Sequence, residues 1–172
     1  WVLHYAPMHC LVSDSKWWNT SAIRGLPDVP VSPRHLARRN ATQALYQWLV
    51  TGQAPGDIES KFISDETFAS VDLDYFRHLI TQVPHYQDEL ERRLEVFSER
   101  ASEKLDPVER AIVLVGAYEI LFRPDVPKKV AINEAVQVAH VFGAEQGYRF
   151  VNSVLHQLAK SAESNGDDEP PG

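Results

Sequence analysis

A chain of 172 residues with a formal net charge of −7 has the length of one domain but lacks the excess of cations that a general nucleic-acid binder needs. A hydrophobic fraction of 44% with a single cysteine predicts a globular protein without an internal disulfide framework. The longest apolar run, residues 111–122, contains Glu119 and is shorter than the about 20 residues of a membrane-spanning helix, so we expect a cytoplasmic protein that does not enter a membrane.

Three segments of the chain differ in composition. Residues 1–31 show no hydrophobic period and hold three of the four tryptophans, so we expect a poorly structured N-terminal extension. The first residue is Trp1 rather than Met, which fits a fragment or an over-extended reading frame. Residues 32–162 carry helical patterns throughout and are predicted to form one all-helical domain. Residues 163–172 combine acidic side chains with Gly, Ser and Pro, which predicts a disordered acidic tail.

Helix boundaries are well marked in the central segment. Ser32 as N-cap with Pro33 in the first turn predicts a helix that Gly52 ends. A later helix begins at Ser70 and is predicted to break or kink at Pro84. Because no convincing strand or repeat is found, the predicted fold class is all-α, a compact single-domain bundle of about seven helices over residues 33–50, 57–63, 70–83, 86–97, 108–122, 127–142 and 145–161.

The most apolar helix, predicted over residues 108–122, is expected to lie at the centre of the core. Asp106-Pro107-Val108-Glu109 resembles a capping box with proline at the first helical position, which places the helix start. Close packing of a neighbouring helix explains Gly116 better than a phosphate loop does, since the glycine-rich pattern of such a loop is missing.

A search of the sequence for catalytic chemistry finds no candidate. The seven histidines and Cys10 lack metal-ligand spacing, and no glutamate is followed three residues later by histidine, as di-iron bundles require. We therefore expect no metal, no cofactor and no enzymatic activity.

The first predicted helix carries the best local candidate for a binding site. Cations cluster near its start, at Arg34, Arg38 and Arg39. At about 100° per residue, one face offset from the apolar stripe presents Arg39, Gln43 and Tyr46. Guanidinium, amide and phenol groups suit RNA, because they contact phosphates, base edges and unpaired bases respectively. The alternative is a solvated helix face with a half-buried tyrosine.

Several short segments, taken in order and spacing, resemble the NusB family of bacterial transcription antitermination factors. The resemblance extends over residues 33–162, and its anchor points are Ala37-Arg38-Arg39, Gln43-Ala44-Leu45-Tyr46, Asp74-Tyr75-Phe76-Arg77, Ala117-Tyr118-Glu119, Asp125-Val126-Pro127, Val130-Ala131-Ile132-Asn133-Glu134-Ala135, Phe142-Gly143-Ala144-Glu145 and Phe150-Val151-Asn152. It implies an all-helical, non-enzymatic protein that binds the boxA element of nascent ribosomal RNA together with the ribosomal protein NusE. The resemblance further implies an RNA polymerase complex that suppresses termination, and it leaves open whether the free protein is a monomer or a homodimer.

The resemblance also implies RNA-contacting positions near both ends of the domain. Together with the helix-face argument, it predicts an RNA-binding set of Arg34, Arg38, Arg39, Gln43, Tyr46, Glu109, Gln146, Arg149 and Phe150. Gln146, Arg149 and Phe150 lie at i, i+3 and i+4, hence on one face of the last helix. The capping box explains Glu109 equally well.

Some positions have structural interpretations that compete with RNA contact. Phe150 also fits a plain core position, and Asn133 and Glu134 are expected to satisfy buried backbone groups. Leu114 stands where many relatives of the resembled family carry arginine, so the contact of that arginine is not expected here. Two other functions stay open: a NusB-like domain detached from a ribosomal RNA methyltransferase, and a helical protein–protein adaptor without RNA affinity.

Overall fold

The first helix, α1 (Pro33–Thr51), shows how local sequence sets element boundaries. The side chain of Ser32 accepts a hydrogen bond from the backbone N–H of His35 at 3.1 Å, which caps the start of the helix. Gly52 follows the last turn with a φ of +67°, a left-handed conformation that favours glycine, and its N–H donates to the Trp48 carbonyl at 2.9 Å. The predicted cap and end of this helix are confirmed.

The computed structural model describes residues 31–64, 66–97, 105–142 and 147–164, and all of these except Val31 belong to one compact unit that starts at Ser32. Residues 1–30 of the predicted extension, residues 143–146 and tail residues 165–172 lie outside the described residues. The described part of the chain contains helices and no strand, which confirms the all-α class. After α1 the elements are α2 (Pro55–Ile63), a 3-10 helix (Glu66–Ser70), α3 (Leu73–His85), α4 (Gln87–Glu95), α5 (Pro107–Phe122), α6 (Lys128–Phe142) and α7 (Gly147–Ser164).

The start of α3 differs from the prediction. The pattern places it at Ser70, whereas that residue ends the 3-10 helix and Asp72 is the N-cap, accepting from the Tyr75 N–H at 3.1 Å. The backbone N–H of Asp72 also donates to the Pro33 carbonyl at 3.1 Å. Ser70 and Asp72 are both good capping residues and lie two positions apart. The residue that caps α3, Asp72, is the one that contacts α1.

The ends of α3 and α7 test two further predictions. Pro84 lies in the last turn of α3 and a new helix follows after one residue, so the predicted break occurs. α7 continues to Ser164, so Glu163, predicted to belong to the tail, is helical. Lys128 Nζ lies 3.4 Å from the Glu163 carboxylate and 3.5 Å from the Ala159 carbonyl, and these contacts stabilise the last turn.

α5 forms the centre of the core because it is apolar on every side. Eleven of its sixteen residues are buried, and it packs against α1, α4, α6 and α7. A Cβ atom at Gly116 would lie 2.6 Å from Leu155 Cδ1 and 3.3 Å from Ala135 Cβ. The predicted explanation of this glycine by close helix packing is confirmed, since α6 and α7 approach here too closely for a side chain.

Because of the helix directions, parts of four helices meet at one end of the bundle. α1 and α5 are antiparallel, because Arg38 contacts Glu119 near the end of α5 whereas Tyr46 lies near Asp106 before its start. The start of α7 touches the start of α5, and its second residue contacts the last turn of α6. We use "the α6–α7 corner" for the end formed by the middle of α1, the start of α5, the end of α6 and the start of α7.

Within the described ranges, no helix has both the length and the apolar character needed to cross a membrane. In the same residues, no three His, Cys, Asp or Glu side chains are grouped closely enough to hold a metal ion.

Candidate nucleic-acid interface

Arg38, predicted to contact RNA, lies inside the protein. The residue is 4% exposed, and its Nε donates to both carboxylate oxygens of Glu119, at 2.9 and 3.1 Å. A second nitrogen of Arg38 lies 3.4 Å from the Tyr75 hydroxyl, which itself donates to Glu119. Its guanidinium neutralises a buried carboxylate, so burial argues against the predicted contact of Arg38 with RNA.

The buried pair belongs to a network that joins α1 to α3, α5 and α6. Glu134 lies 3.6 Å from Arg38, and one of its carboxylate oxygens lies 2.7 Å from Nδ1 of His35. Burial raises the pKa of Glu119, an effect that Arg38 opposes, while the hydrogen bond with His35 lowers the pKa of Glu134. The expectation for the Asn-Glu pair is corrected: Asn133 is exposed, and Glu134 binds side chains of α1 instead of backbone groups.

Arg34 lies next to two acids at the start of α1. Its side chain is 49% exposed, with Nε 3.5 Å from Asp72 and a terminal nitrogen 3.9 Å from Asp125. The pKa of Asp125 is lowered to about 2, chiefly by a hydrogen bond from Arg123, so this acid is charged at neutral pH. Arg34 is therefore partly neutralised, and it precedes Tyr46 by twelve residues, roughly 18 Å along the helix.

Arg39, Gln43 and Tyr46 are each half-buried and border the α6–α7 corner. The Arg39 guanidinium lies 5.7 Å from the centroid of the Phe142 ring, and burial lowers the pKa of Arg39 without removing its charge at neutral pH. Burial also raises the pKa of the Tyr46 phenol, which neighbouring Asp106 raises further. The polar face predicted on α1 thus borders the end of α6 and the start of α5.

Two more predicted residues lie at the same corner, beside the start of α7. Glu109 is half-buried, and a Cβ atom at Gly147 would lie 2.5 Å from its Oε1 atom. Arg149 is exposed, and its Nε donates to the Tyr148 hydroxyl at 3.1 Å. Gln146, the residue before α7, lies outside the described residues.

Phe150 packs into the groove between α4, α5 and α7. It is half-buried and lines a small apolar cavity with Leu94, Leu114 and Val154. Leu114 is itself buried in this packing. The core interpretation of Phe150 therefore fits the structure better than its predicted RNA contact.

Arg39 and Arg149 differ from the other arginines in the described part of the chain. Among the described residues, no carboxylate lies within ion-pair distance of either, and each lies against an aromatic ring, Phe142 and Tyr148 respectively. A guanidinium that no acid neutralises can contact phosphate or stack on a base. The described arginines that do form ion pairs are Arg34, Arg38, Arg77, Arg92, Arg93, Arg110 and Arg123.

A second aromatic contact at this corner was not predicted from the sequence. The rings of His140 and Tyr148 stack with centroids 4.2 Å apart and planes inclined by 26°. One sequence signal could have predicted this contact: the two residues lie on either side of Gly143, in helices predicted to be joined by a short turn. The contact of His35 with Glu134 was also missed, because these residues are 99 positions apart and no local pattern links them.

Comparison with known proteins gives a consistent result. The sequence model of the NusB family matches residues 35–160. The transcription antitermination protein NusB of Shewanella pealeana is 45% identical over 127 residues, which cover 74% of this chain and 94% of that protein. The protein of the same name from Actinobacillus succinogenes is 42% identical over 129 residues, covering 75% and 91%.

Solved structures share the fold. NusB of T. maritima superposes with a TM-score of 0.66 at 28% identity, covering 75% of this chain and 92% of that one. A crystal structure described as the antitermination factors NusB and NusE in complex with double-stranded RNA gives a TM-score of 0.64 at 24% identity, with coverage of 75% and 97%. At that identity, the second likeness concerns the fold alone.

Proposed function

Because the chain belongs to the NusB family, we propose that it is an RNA-binding transcription antitermination factor. The name of its relatives supports this function, and NusE and RNA accompany NusB in a structure that shares the fold. Its proposed partners are NusE and the boxA element of nascent ribosomal RNA, in an RNA polymerase complex whose termination it suppresses in the bacterial cytoplasm. It acts by binding and not by catalysis.

The α6–α7 corner is the observation that carries this proposal. On a protein with a net charge of −7, this corner holds Arg39 and Arg149, the two described arginines that pair with no carboxylate of the described residues. Phosphates of RNA provide negative charge for both guanidinium groups, and burial partly desolvates that of Arg39, which strengthens such a contact.

Each side chain at the corner has a role that suits single-stranded RNA. Arg39 and Arg149 contact phosphates, the Gln43 amide reads a base edge, and the Tyr46 phenol stacks on an unpaired base. Glu109, half-buried at the same corner, stays a proposed RNA contact. The neighbouring Gln146 belongs to the same proposed surface, whereas Arg38 does not.

Titration of the full chain with a boxA-type RNA oligomer, with and without NusE, tests the function directly. The affinity is expected to fall as salt rises, because binding releases counterions from the phosphates. Arg39→Gln is expected to lower the slope of log affinity against log salt by about 0.7, the contribution of one single-strand phosphate. Arg92→Gln serves as the matched control, since Arg92 is an exposed arginine on α4 that pairs with Glu89.

Three outcomes of this titration separate the functions. Salt-dependent binding that Arg39→Gln weakens and Arg92→Gln leaves unchanged supports the proposed interface. An equal slope for both variants would remove Arg39 from the interface. Absence of RNA binding at low salt with NusE present would overturn the function, and binding of NusE alone would then favour a helical protein–protein adaptor.

A further inference from the structure

The aromatic pair between α6 and α7 has a geometry that its neighbours lack. His140 is exposed and Tyr148 half-buried, and their rings lie nearly parallel, 4.2 Å apart at 26°. The two other His–Tyr pairs among the described residues are not parallel: His85 with Tyr86 is perpendicular, with centroids 4.8 Å apart at 87°, and His78 with Tyr118 is tilted, with centroids 5.6 Å apart at 52°. A parallel pair whose outer member is exposed can add another flat ring to the stack, whereas an edge-to-face pair does not present such a platform.

One cationic residue, Arg149, contacts this pair, and the helices on both sides carry few acids near it; Glu145, between the helices in sequence, lies outside the described residues. Arg149 donates to the Tyr148 hydroxyl at 3.1 Å, and its guanidinium lies 5.8 Å from the centroid of the same ring. Residues 135–142 and 147–162, which cover the second half of α6 and nearly all of α7, contain no Asp or Glu. The described acid nearest the start of α7 is Glu109, which is half-buried against Gly147.

The pair continues the surface to which RNA binding is assigned above. His140 lies two residues before Phe142, whose ring contacts Arg39, and Tyr148 is the neighbour of Arg149. Phe142 and His140 point to different sides of α6: Phe142 contacts α1 and His140 contacts α7. An RNA strand bound at Arg39 would have to cross the end of α6 to reach the His140 ring.

We propose that His140 and Tyr148 form a second stacking site, on which a base of single-stranded RNA adds to the outer face of the His140 ring while Arg149 contacts the adjoining phosphate. The inference rests on the proposed RNA-binding function, and it assigns to these two residues a role that neither their position in the sequence nor the arginine cluster predicts. Stacking needs a flat ring and not a particular base, so the site tolerates different sequences.

Four variants of the full chain test this site with the same boxA-type RNA oligomer and NusE. His140→Ala removes the platform and is expected to weaken RNA binding about fivefold or more, the lower end of the loss of one base–aromatic stack. His140→Trp enlarges the platform and is expected to match or exceed the wild-type affinity. His140→Lys keeps a cation without a ring and is expected to resemble His140→Ala. His85→Ala, which removes the perpendicular pair, is the matched control and is expected to bind as the wild type does.

A fluorescent base gives a direct readout of stacking. With 2-aminopurine at successive positions of the oligomer, one position is expected to be quenched by the wild type and by His140→Trp but not by His140→Ala. Circular dichroism of each variant shows that the helices are intact. Tyr148→Ala is not among the four variants, because Tyr148 is half-buried and its loss would disturb the packing at the start of α7.

The outcomes distinguish this inference from the function on which it rests. If the wild type binds RNA and His140→Ala binds equally well, the stacking site is wrong and the proposed function stands. If His140→Lys binds as the wild type does and His140→Trp binds weakly, the contact is electrostatic and the stacking site is likewise wrong. If the wild type binds no RNA with NusE present, both fall.

Discussion

Arg38 and Arg39 are neighbours in the sequence, yet they lie in two different regions of the molecule. Arg38 is buried and bound to Glu119, whereas Arg39 rests on the ring of Phe142 and pairs with no carboxylate in the part of the chain that the structure describes. About 100° of helix rotation separates their directions, so one faces the core and the other its border. Arginines that cluster in the sequence therefore need not form one binding surface, because helix packing can bury some of them.

The same contrast holds for the arginine cluster as a whole. At the start of α1, Arg34 lies close to Asp72 and Asp125, and Arg38 is held by the buried network. Arginine near a helix N-terminus opposes the helix dipole, and these acids offset that cost. The start of α1 is therefore built for stability, and the α6–α7 corner retains the cations available to a ligand.

The largest expected effect is on folding. Arg38→Ala leaves the Glu119 carboxylate buried without its cation, which is expected to lower the free energy of unfolding by about 3–5 kcal/mol. Urea denaturation followed by circular dichroism measures this change. Arg39→Ala is the matched control and is expected to cost less than about 1 kcal/mol. Similar losses for the two variants would contradict the division between the regions.

The next effect concerns Tyr46 and RNA. Tyr46→Ala is expected to weaken binding of the boxA-type oligomer by about 1–3 kcal/mol, because one base loses its stacking partner. Tyr46→Phe keeps the ring and is expected to stay close to the wild type. Fluorescence anisotropy measures both affinities, and thermal unfolding of each variant controls for packing. Unchanged binding by Tyr46→Ala would place the stacked base elsewhere.

A smaller effect is expected from the pH dependence of the network. The pKa of Glu134 is lowered in the folded protein, so its contribution to stability is complete above the unfolded value of 4.5 and is lost as pH falls through the folded pKa. Between pH 7 and pH 3 the free energy of unfolding of the wild type is expected to fall by about 1 kcal/mol more than that of Glu134→Gln. The difference is small because the carboxylate is only half-buried and solvent screens its interactions. Urea denaturation across this range measures the difference, and parallel curves for the two proteins would refute the assignment.

The smallest effect is expected at Arg34, which the resemblance to the family places among the RNA contacts. Its acids already neutralise it in part, so Arg34→Gln is expected to change the RNA salt slope by less than the about 0.7 expected for Arg39→Gln. Its effect on stability is expected to stay below about 0.5 kcal/mol, as for exposed ion pairs. A salt slope that falls as far as in Arg39→Gln would extend the interface to the start of α1.

Much of the fold follows from local signals. The cap at Ser32 and the left-handed Gly52 set the ends of α1, and the largely apolar composition of residues 108–122 predicts the central helix from the sequence alone. These features depend on residues within a few positions of one another. The start of α3 was misplaced because Ser70 and Asp72 cap helices about equally well, and only contact with Pro33 distinguishes them.

The candidate site also has features that local sequence predicts and features that only tertiary contacts decide. Helical periodicity by itself put Arg39, Gln43 and Tyr46 on one face, since that face depends only on the rotation per residue. Which arginines keep their charge available was decided by the tertiary structure, because Arg38 meets Glu119 across 81 positions and Arg39 meets Phe142 on another helix. Local sequence determines where a side chain points around its own helix, and only the packing of distant helices determines what it meets there.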